Sequence, residues 1–208
     1  MSLRRFSWVK KHIKGLISIF LALFFFVSGS IIIWLTTIKI PDLSAFEARK
    51  VSQSTKIYDR TGEILLYDIH SDARRTVVPF DSISKHVKDA TVSIEDNDFY
   101  KHKGIQPSAI LRAILADILG GGLAQGGSTI TQQVVKNSVL TKDKTLTRKL
   151  KEWILSLKIE RVLSKDQIFS IYLNESPYGG NIYGVEEASR TYFGKSANDL
   201  TIAQSAYL

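Results

Sequence analysis

The sequence predicts a mainly α-helical domain with a short β-containing N-terminal segment, preceded by one transmembrane helix. A charge-free apolar run of 23 residues extends from Leu16 to Ile38, and about 20 helical residues span a bilayer core. Short apolar stretches on either side of turn residues occupy positions 55–80. From Asp81 onward, apolar residues recur at helical spacing between capping residues.

The positive charge of the chain is concentrated at its N-terminus. Five of the 28 Lys and Arg residues lie in the first fourteen positions, and the first acidic residue is Asp42. This leaves 23 basic residues against 20 acidic residues for the rest of the chain. A nucleic-acid-binding protein carries its basic residues on the folded part, so the sequence predicts no nucleic-acid partner.

The apolar run is too long for a signal peptide, whose apolar stretch has only about 7–15 residues. We therefore interpret residues 16–38 as an uncleaved anchor and residues 1–15 as a cytoplasmic tail, because cations flank the cytoplasmic end of a span. The remainder of the chain would then be extracytoplasmic, and the protein would be a single-pass protein of the cell membrane. The absence of cysteine is compatible with this location.

Residues 39–80 are predicted to form a neck with short strands. Residues 56–58 and 64–67 flank a turn at 59–62 that ends in glycine. The stretch from Arg74 to Phe80 is expected to form a third strand.

Residues 81–208 are predicted to form one helical domain that is incomplete at its C-terminus. We expect Asp81 to cap the first helix, which ends at Glu95 and Asp96, and Ser128 to cap a later polar helix. Capping boxes are predicted at Ser164 with Gln167 and at Thr201 with Gln204. The helix between them, about 145–163, is apolar on several faces, which predicts a central, buried position.

Three polar stretches carry the chemistry. The first places three carboxylates within four residues, Glu95 to Asp98, and their repulsion would raise at least one pKa if they were partly buried. The second is the Gly-Ser-Thr-Ile-Thr-Gln-Gln run at 127–133, and the third is Arg-Lys-Leu-Lys-Glu at 148–152. A phosphate-binding loop is not supported, because the lysine that its motif requires is missing from the glycine-rich stretch. A zinc site is not supported, because the histidines lack metal-ligand spacing.

These stretches resemble glycosyltransferase family 51, the peptidoglycan glycosyltransferases of class A penicillin-binding proteins. The resemblance covers roughly residues 55–208, and the strand segment is closer to the bifunctional synthases. The matching motifs are E-D-x-x-F-x-x-H-x-G at 95–104, G-x-S-T-I-T-Q-Q at 126–133, R-K-x-x-E at 148–152, Lys165 through the I-Y-L-N block at 171–174, and Y-F-G-K at 192–195.

The resemblance implies a lysozyme-like fold and the polymerisation of lipid II into β-1,4 glycan strands, with release of undecaprenyl diphosphate. It implies Glu95 as the general base and Glu152 as the second carboxylate on the donor side. Substrate binding is expected at Asp96, Phe99, His102, Ser128, Thr129, Gln132, Gln133, Lys136, Asn137, Arg148 and Lys149. Its expected partners are lipid II, the growing glycan chain, the membrane and other cell-wall synthesis proteins.

These residue types suit a lipid-diphosphate donor. A diphosphate leaving group needs neutralisation rather than a proton, which the cations Lys136 and Arg148 supply. The resemblance requires no cofactor and allows stimulation by Mg²⁺, for which the sequence shows no set of ligands.

Three alternatives remain open at the level of the sequence. One is a membrane-anchored, lysozyme-like hydrolase, which needs two carboxyl groups across the scissile bond. Another is a non-catalytic envelope scaffold, which would not need both Glu95 and Glu152. The third is that the chain, ending within a helical cap, is inactive as it stands. A further hypothesis is that the apolar helix at 108–119 and the glycine loop after it dip into the membrane.

Overall fold

The computed structural model describes residues 3–37, 53–70, 73–109, 112, 127–138 and 146–208. The chain divides into two compact units, residues 1–40 and residues 41–208. The first unit contains helix α1, Leu3–Thr37. Its segment Gly15–Trp34 is long and apolar enough to cross a membrane, and none of that segment is buried.

The first element described in the second unit is a β-hairpin. Strands β1, Thr55–Tyr58, and β2, Leu65–Ile69, pair in antiparallel register with Ile57 opposite Tyr67. The Asp59 carboxylate closes the turn by accepting hydrogen bonds from the Thr61 hydroxyl and from the Glu63 and Ile64 amides. The Thr61 hydrogen bond is the main cause of the lowered pKa of Asp59. The two predicted strands and their turn are therefore confirmed.

The predicted third strand is much shorter than expected. Strand β3 is only Arg74–Arg75, and it pairs in parallel with β4, Ile182–Tyr183, instead of extending the hairpin. After β3, the Asn174 side chain forms hydrogen bonds with both backbone polar groups of Val78. Its Oδ1 accepts from the Val78 amide at 2.9 Å, and its Nδ2 donates to the Val78 carbonyl at 3.1 Å. Pro79 follows and has no N–H to continue a ladder.

The structure describes six α-helices in the second unit. They are α2 (Lys85–Glu95), α3 (Ile130–Ser138), α4 (Leu146–Val162), α5 (Lys165–Glu175), α6 (Val185–Phe193) and α7 (Ile202–Tyr207), with short 3-10 helices at Phe80–Ser82 and Ala197–Asp199. Helix α3 packs against both α4 and α5, α2 packs against α7, and α6 packs against α5. The predicted mainly α-helical fold is confirmed.

Two predicted helix caps are wrong by a few residues. Helix α2 is capped by Ser84, whose hydroxyl accepts from the His86 amide, whereas Asp81 lies in the preceding 3-10 helix. At α3 the cap is Thr129 rather than Ser128. Thr129 and Gln132 form a reciprocal pair, in which each side chain accepts from the other's backbone amide at 3.1 and 2.8 Å. Both predicted capping boxes, before α5 and before α7, are confirmed.

Helix α4 is less buried than its composition predicts. Leu155 and Ile159 are fully buried against the neighbouring helices, but Leu157 and Val162 are exposed. The core beside it is aromatic: the rings of Phe99 and Phe169 lie 5.5 Å apart, and Phe80 follows at 5.8 Å from Phe169.

A glycine allows the loop after α2 to lie directly on α4. Gly104 has φ +89°, and a Cβ at this position would lie 2.7 Å from the Ser156 carbonyl oxygen. Gly62, in the hairpin turn, also has a positive φ of +77°, but a Cβ there would meet nothing within 4 Å. Both glycines therefore have a positive φ, which disfavours other residues. Only at Gly104 would an added side chain also clash with a neighbouring atom.

We expect Gly104→Ala to lower the free energy of unfolding by about 2–5 kcal/mol, because a positive φ costs roughly 1–2 kcal/mol and overpacking a further 1–3 kcal/mol. The control Gly62→Ala should lose only the free energy that the positive φ costs, because a Cβ there meets no neighbouring atom. Denaturant unfolding of both variants measures the difference. Equal losses in the two variants would contradict the close packing of the loop on α4.

Candidate active site

A cleft of about 560 Å³ lies between α2, the C-terminal part of α3, the segment after α5, and α7. Four of the predicted site residues line it: Glu95, Gln133, Lys136 and Asn137. The rest of its lining is Val87, Ala90, Thr91, Ile94, Tyr172, Ser176, Pro177, Tyr178 and the residues from Ser205 to Leu208. The cleft therefore combines one carboxylate, one cation and two amides on a partly apolar surface.

Glu95 is the last residue of α2 and is exposed to solvent at the cleft. Its Oε2 accepts a hydrogen bond of 2.7 Å from the Gln133 side-chain amide. A carboxylate at a helix C-terminus is disfavoured by the helix dipole, so the position of Glu95 does not serve the stability of α2. Gln133, which donates this hydrogen bond, is a neutral amide and not a cation.

Asp96 fixes the end of α2 to the beginning of α3. Its side chain is buried, and its Oδ2 accepts from the Ile130 amide at 3.0 Å and from His102 Nε2 at 2.9 Å. The Gly104 amide donates to His102 Nδ1 at 3.1 Å, which places the imidazole proton on Nε2. A carboxylate at a helix N-terminus also interacts favourably with the dipole of α3. Asp96 and His102 therefore form a bridge beneath the cleft and do not line it.

The third carboxylate of the acidic stretch points elsewhere. The Asp98 side chain accepts from Lys101 Nζ at 2.8 Å and from the Gln106 amide at 3.1 Å. The Lys101 hydrogen bond and charge lower the pKa of Asp98. Asp98 therefore has its own hydrogen-bond donors, and its pKa is lowered rather than raised by its surroundings.

A second polar cluster lies at the other end of α3. Lys149 Nζ donates to the Ser128 hydroxyl at 3.0 Å and is in direct ionic contact with Glu152, one turn further along α4. The Glu152 side chain is buried, while those of Ser128 and Lys149 are partly exposed. Arg148 is also partly buried and precedes Lys149 in the first turn of α4. This cluster places the Lys149 ammonium beside the N-terminus of α3, an arrangement that suits an anion.

The comparison with known proteins decides the family. Residues 62–208 match the family model described as Transglycosylase. This chain belongs to the transglycosylase family. Its relatives include penicillin-binding protein 1A of Aquifex aeolicus, 40% identical over 201 residues, which are 96% of this chain and 27% of that protein.

Other relatives of this transglycosylase agree. Penicillin-binding protein 1F of Bacillus subtilis is 43% identical over 155 residues, which cover 74% of this chain and 21% of the relative. Penicillin-binding protein 1A of Neisseria flavescens is 38% identical over 188 residues, which cover 90% of this chain and 23% of the relative. The chain therefore spans about a quarter of the length of these relatives.

Besides Asp96, three predicted substrate-binding residues of the transglycosylase lie in its interior. Phe99, Thr129 and Gln132 are buried. Phe99 packs in the aromatic core, and the Thr129 hydroxyl donates to the Gly104 carbonyl at 2.7 Å. We infer that these side chains shape the site by packing and capping. Among the described residues, the remaining predicted ones divide between the cleft, the bridge and the polar cluster.

Two tyrosines of the cleft wall are absent from the predicted site. Burial is the main cause of the raised pKa of both Tyr172 and Tyr178, and the negative charge of Glu95 contributes. Tyr172 belongs to the matching I-Y-L-N motif, but the resemblance gave it no role in the site. Nothing in the periodicity of the chain distinguishes Tyr178 from an ordinary core tyrosine.

The described residues offer no ready metal site. Within ranges 3–37, 53–70, 73–109 and 127–138, position 112 and range 146–208, no three His, Asp or Glu side chains lie close enough together to hold an ion. The Mg²⁺ stimulation that the resemblance allows therefore has no set of ligands among these residues. The membrane-dipping hypothesis for 108–119 lies almost entirely outside the described residues.

Because the pKa of the buried Tyr172 is raised, the free energy of unfolding should depend on pH in the alkaline range. The pKa of Tyr172 is raised to about 12, whereas an unfolded tyrosine ionises near pH 10. Between these values the unfolded state binds fewer protons, so the free energy of unfolding falls as pH rises and is unaffected below about pH 10. Tyr172→Phe should show a weaker fall.

Urea unfolding at pH 9 and pH 11 measures this dependence. The exposed Tyr207→Phe is the matched control and should follow the parent protein at both pH values. If Tyr172→Phe also follows the parent, Tyr172 is not the group that retains its proton in the folded protein.

Proposed function

We propose that this chain is the glycosyltransferase part of a peptidoglycan synthase of the class A penicillin-binding type. It would polymerise lipid II into β-1,4 glycan strands and release undecaprenyl diphosphate. Membership of the transglycosylase family and relatives named penicillin-binding protein 1A and 1F support this proposal. The observation that carries it is the solvent-exposed Glu95 carboxylate in a cleft that also holds Lys136 and Gln133.

In this proposal Glu95 is the general base. The 4-hydroxyl of the acceptor sugar loses its proton to the Glu95 carboxylate while its oxygen bonds to the anomeric carbon of the donor. The bond from that carbon to the diphosphate breaks, and the diphosphate leaves with the electron pair. A single displacement of this kind inverts the anomeric carbon and needs one base and no covalent intermediate.

The departing diphosphate needs positive charge. Lys136 lies in the cleft near the C-terminus of α3, whereas Lys149 of α4 contacts Ser128, just before the N-terminus of α3, and Arg148 precedes Lys149 in the chain. Residues 130 and 137 are separated by about 10 Å along a helix axis, a span that a sugar diphosphate can bridge. We assign Lys136, Arg148 and Lys149 to neutralising the diphosphate, with Ser128 and Asn137 as hydrogen-bonding groups around the substrate.

The arrangement of the carboxylates favours a transferase over a hydrolase. A glycosidase needs two carboxyl groups that face each other across the bond it cleaves. Glu95 lines the cleft, whereas Glu152 is buried beneath Lys149 and is not among the residues that line it. A diphosphate donor needs no acid opposite the base, so this arrangement suits transfer.

The membrane anchor suits a lipid-linked substrate, because enzyme and substrate would share one bilayer. Helix α1 contains the candidate span, and five basic residues precede it. We propose that residues 1–15 are cytoplasmic, that 16–38 form the anchor, and that the neck at 39–80 holds the catalytic region, 81–208, on the outer side.

Glu95→Gln should lower the rate of polymerisation by at least about 100-fold, since a positioned general base contributes roughly 10²–10⁴. The full-length protein is incubated with labelled lipid II in detergent, and the glycan products are separated on a gel. Asp89→Asn is the matched control, because Asp89 lies on the same helix, is exposed and pairs only with Lys85 among the residues described. A folded Glu95→Gln variant that makes the parental ladder would overturn the assignment of the base.

The orientation can be tested with single cysteines, because the sequence contains none. We expect Ser93→Cys to react with a membrane-impermeant maleimide in cells whose outer layers admit the reagent. Ser2→Cys should react only after the inner membrane is permeabilised. The reverse labelling pattern would contradict the proposed topology.

A further inference from the structure

We propose that Glu152 is a positioning residue: it holds the Lys149 ammonium against Ser128, and it acts on the diphosphate only through that lysine. This inference rests on the proposed function and changes the role that the family resemblance implies for Glu152. A second carboxylate on the donor side would have to reach the sugar or the diphosphate itself. The burial and the partners of Glu152 indicate that it does neither.

The first observation is the depth of the carboxylate. The Glu152 side chain is 2% exposed, whereas that of Lys149 is 34% exposed. The two groups are in direct contact three residues apart on α4, with the ammonium on the solvent side. A substrate approaching from solvent therefore meets Lys149 before it meets Glu152.

The second observation is the shared partner. Lys149 Nζ also donates to the Ser128 hydroxyl at 3.0 Å. An ammonium has three N–H donors, and among the described residues two of them are directed to Glu152 and Ser128. The third remains for an anion. Because Ser128 uses its oxygen to accept from Lys149, its own O–H is also free to donate to the same anion.

Fixing Lys149 in advance lowers the free-energy cost of binding an anion. A lysine side chain has four rotatable bonds, and ordering it on binding costs free energy that a rigid group does not pay. The buried carboxylate fixes Lys149 before the substrate arrives, because a buried ion is strongly held by its counterion. Glu152 thus contributes to binding and transfer by preorganising a cation.

The test is a double-mutant cycle in the full-length protein, with kcat/KM for lipid II polymerisation as the first readout. We expect Glu152→Gln and Lys149→Gln each to lower kcat/KM by about 10- to 100-fold, as the loss of a supporting partner does elsewhere. The double variant should be no worse than Lys149→Gln alone, since Glu152 has nothing left to position. Losses that multiply in the double variant would show that Glu152 acts on the substrate independently and would overturn the proposal.

A second readout does not depend on turnover. Calorimetric titration with inorganic pyrophosphate should show weaker binding for Glu152→Gln and for Lys149→Gln, with no further loss in the double variant. Unchanged binding in Glu152→Gln would overturn the proposal even if polymerisation falls. If the parent binds pyrophosphate in this pattern but makes no polymer, the positioning role stands and the proposed function fails.

The control removes a comparable ion pair from the surface. Lys85 and Asp89 are in contact on α2 but are 82% and 58% exposed. Lys85→Gln, Asp89→Asn and their double variant should match the parent in both readouts. Thermal unfolding of every variant distinguishes a variant that does not fold from one in which only Lys149 is misplaced. The double variant Lys149→Gln/Glu152→Gln keeps the test valid, because it leaves no unpaired buried charge.

Discussion

The position of the proposed base depends on the buried carboxylate of Asp96. By accepting from the Ile130 amide and from His102 at once, Asp96 attaches the C-terminus of α2 to the N-terminus of α3. Glu95 and Gln133 come into contact because of this attachment. The loop that carries His102 is in turn held against α4 by Gly104, whose lack of a side chain permits the contact with Ser156. The Asp96 carboxylate therefore joins α2 to α3 and, through His102, contacts the loop that packs on α4.

The other buried carboxylates of the second unit follow one rule, which is that each is matched by cations or polar hydrogens. Glu160 accepts from Thr131 and Lys165, and it joins α4 to α3 and to the start of α5. Glu187 accepts from Lys56 and Thr76 and contacts Arg74, so it attaches the hairpin to α6. Glu95 differs from these residues, because it is exposed and Gln133, which donates to it, is a neutral amide.

The sequence predicted which helices and strands form better than it predicted the residues at which they begin and end. Periodicity and capping boxes gave the helices, and the turn at 59–62 gave the hairpin, because these signals are local. The caps at Ser84 and Thr129 were misplaced by one to three residues, since neighbouring Ser, Thr and Asp have similar capping propensity. The short β3 depends on Asn174, about a hundred residues away, and no local pattern reports such a contact. Site residues came from motif resemblance, which gives identities but not burial: Phe99 and Gln132 are interior, and Tyr178 was missed.

The activity that we propose for the cleft is the transfer of a sugar from a lipid diphosphate to a sugar hydroxyl. The most direct measurement follows both products in one reaction: the full-length protein is given doubly labelled lipid II, and the released polyprenyl diphosphate and the new glycosidic bonds are counted. The account predicts one diphosphate released for each bond formed, with no free disaccharide. Release of diphosphate with an equal amount of free disaccharide, and no polymer, would mean that water is the acceptor and would contradict it.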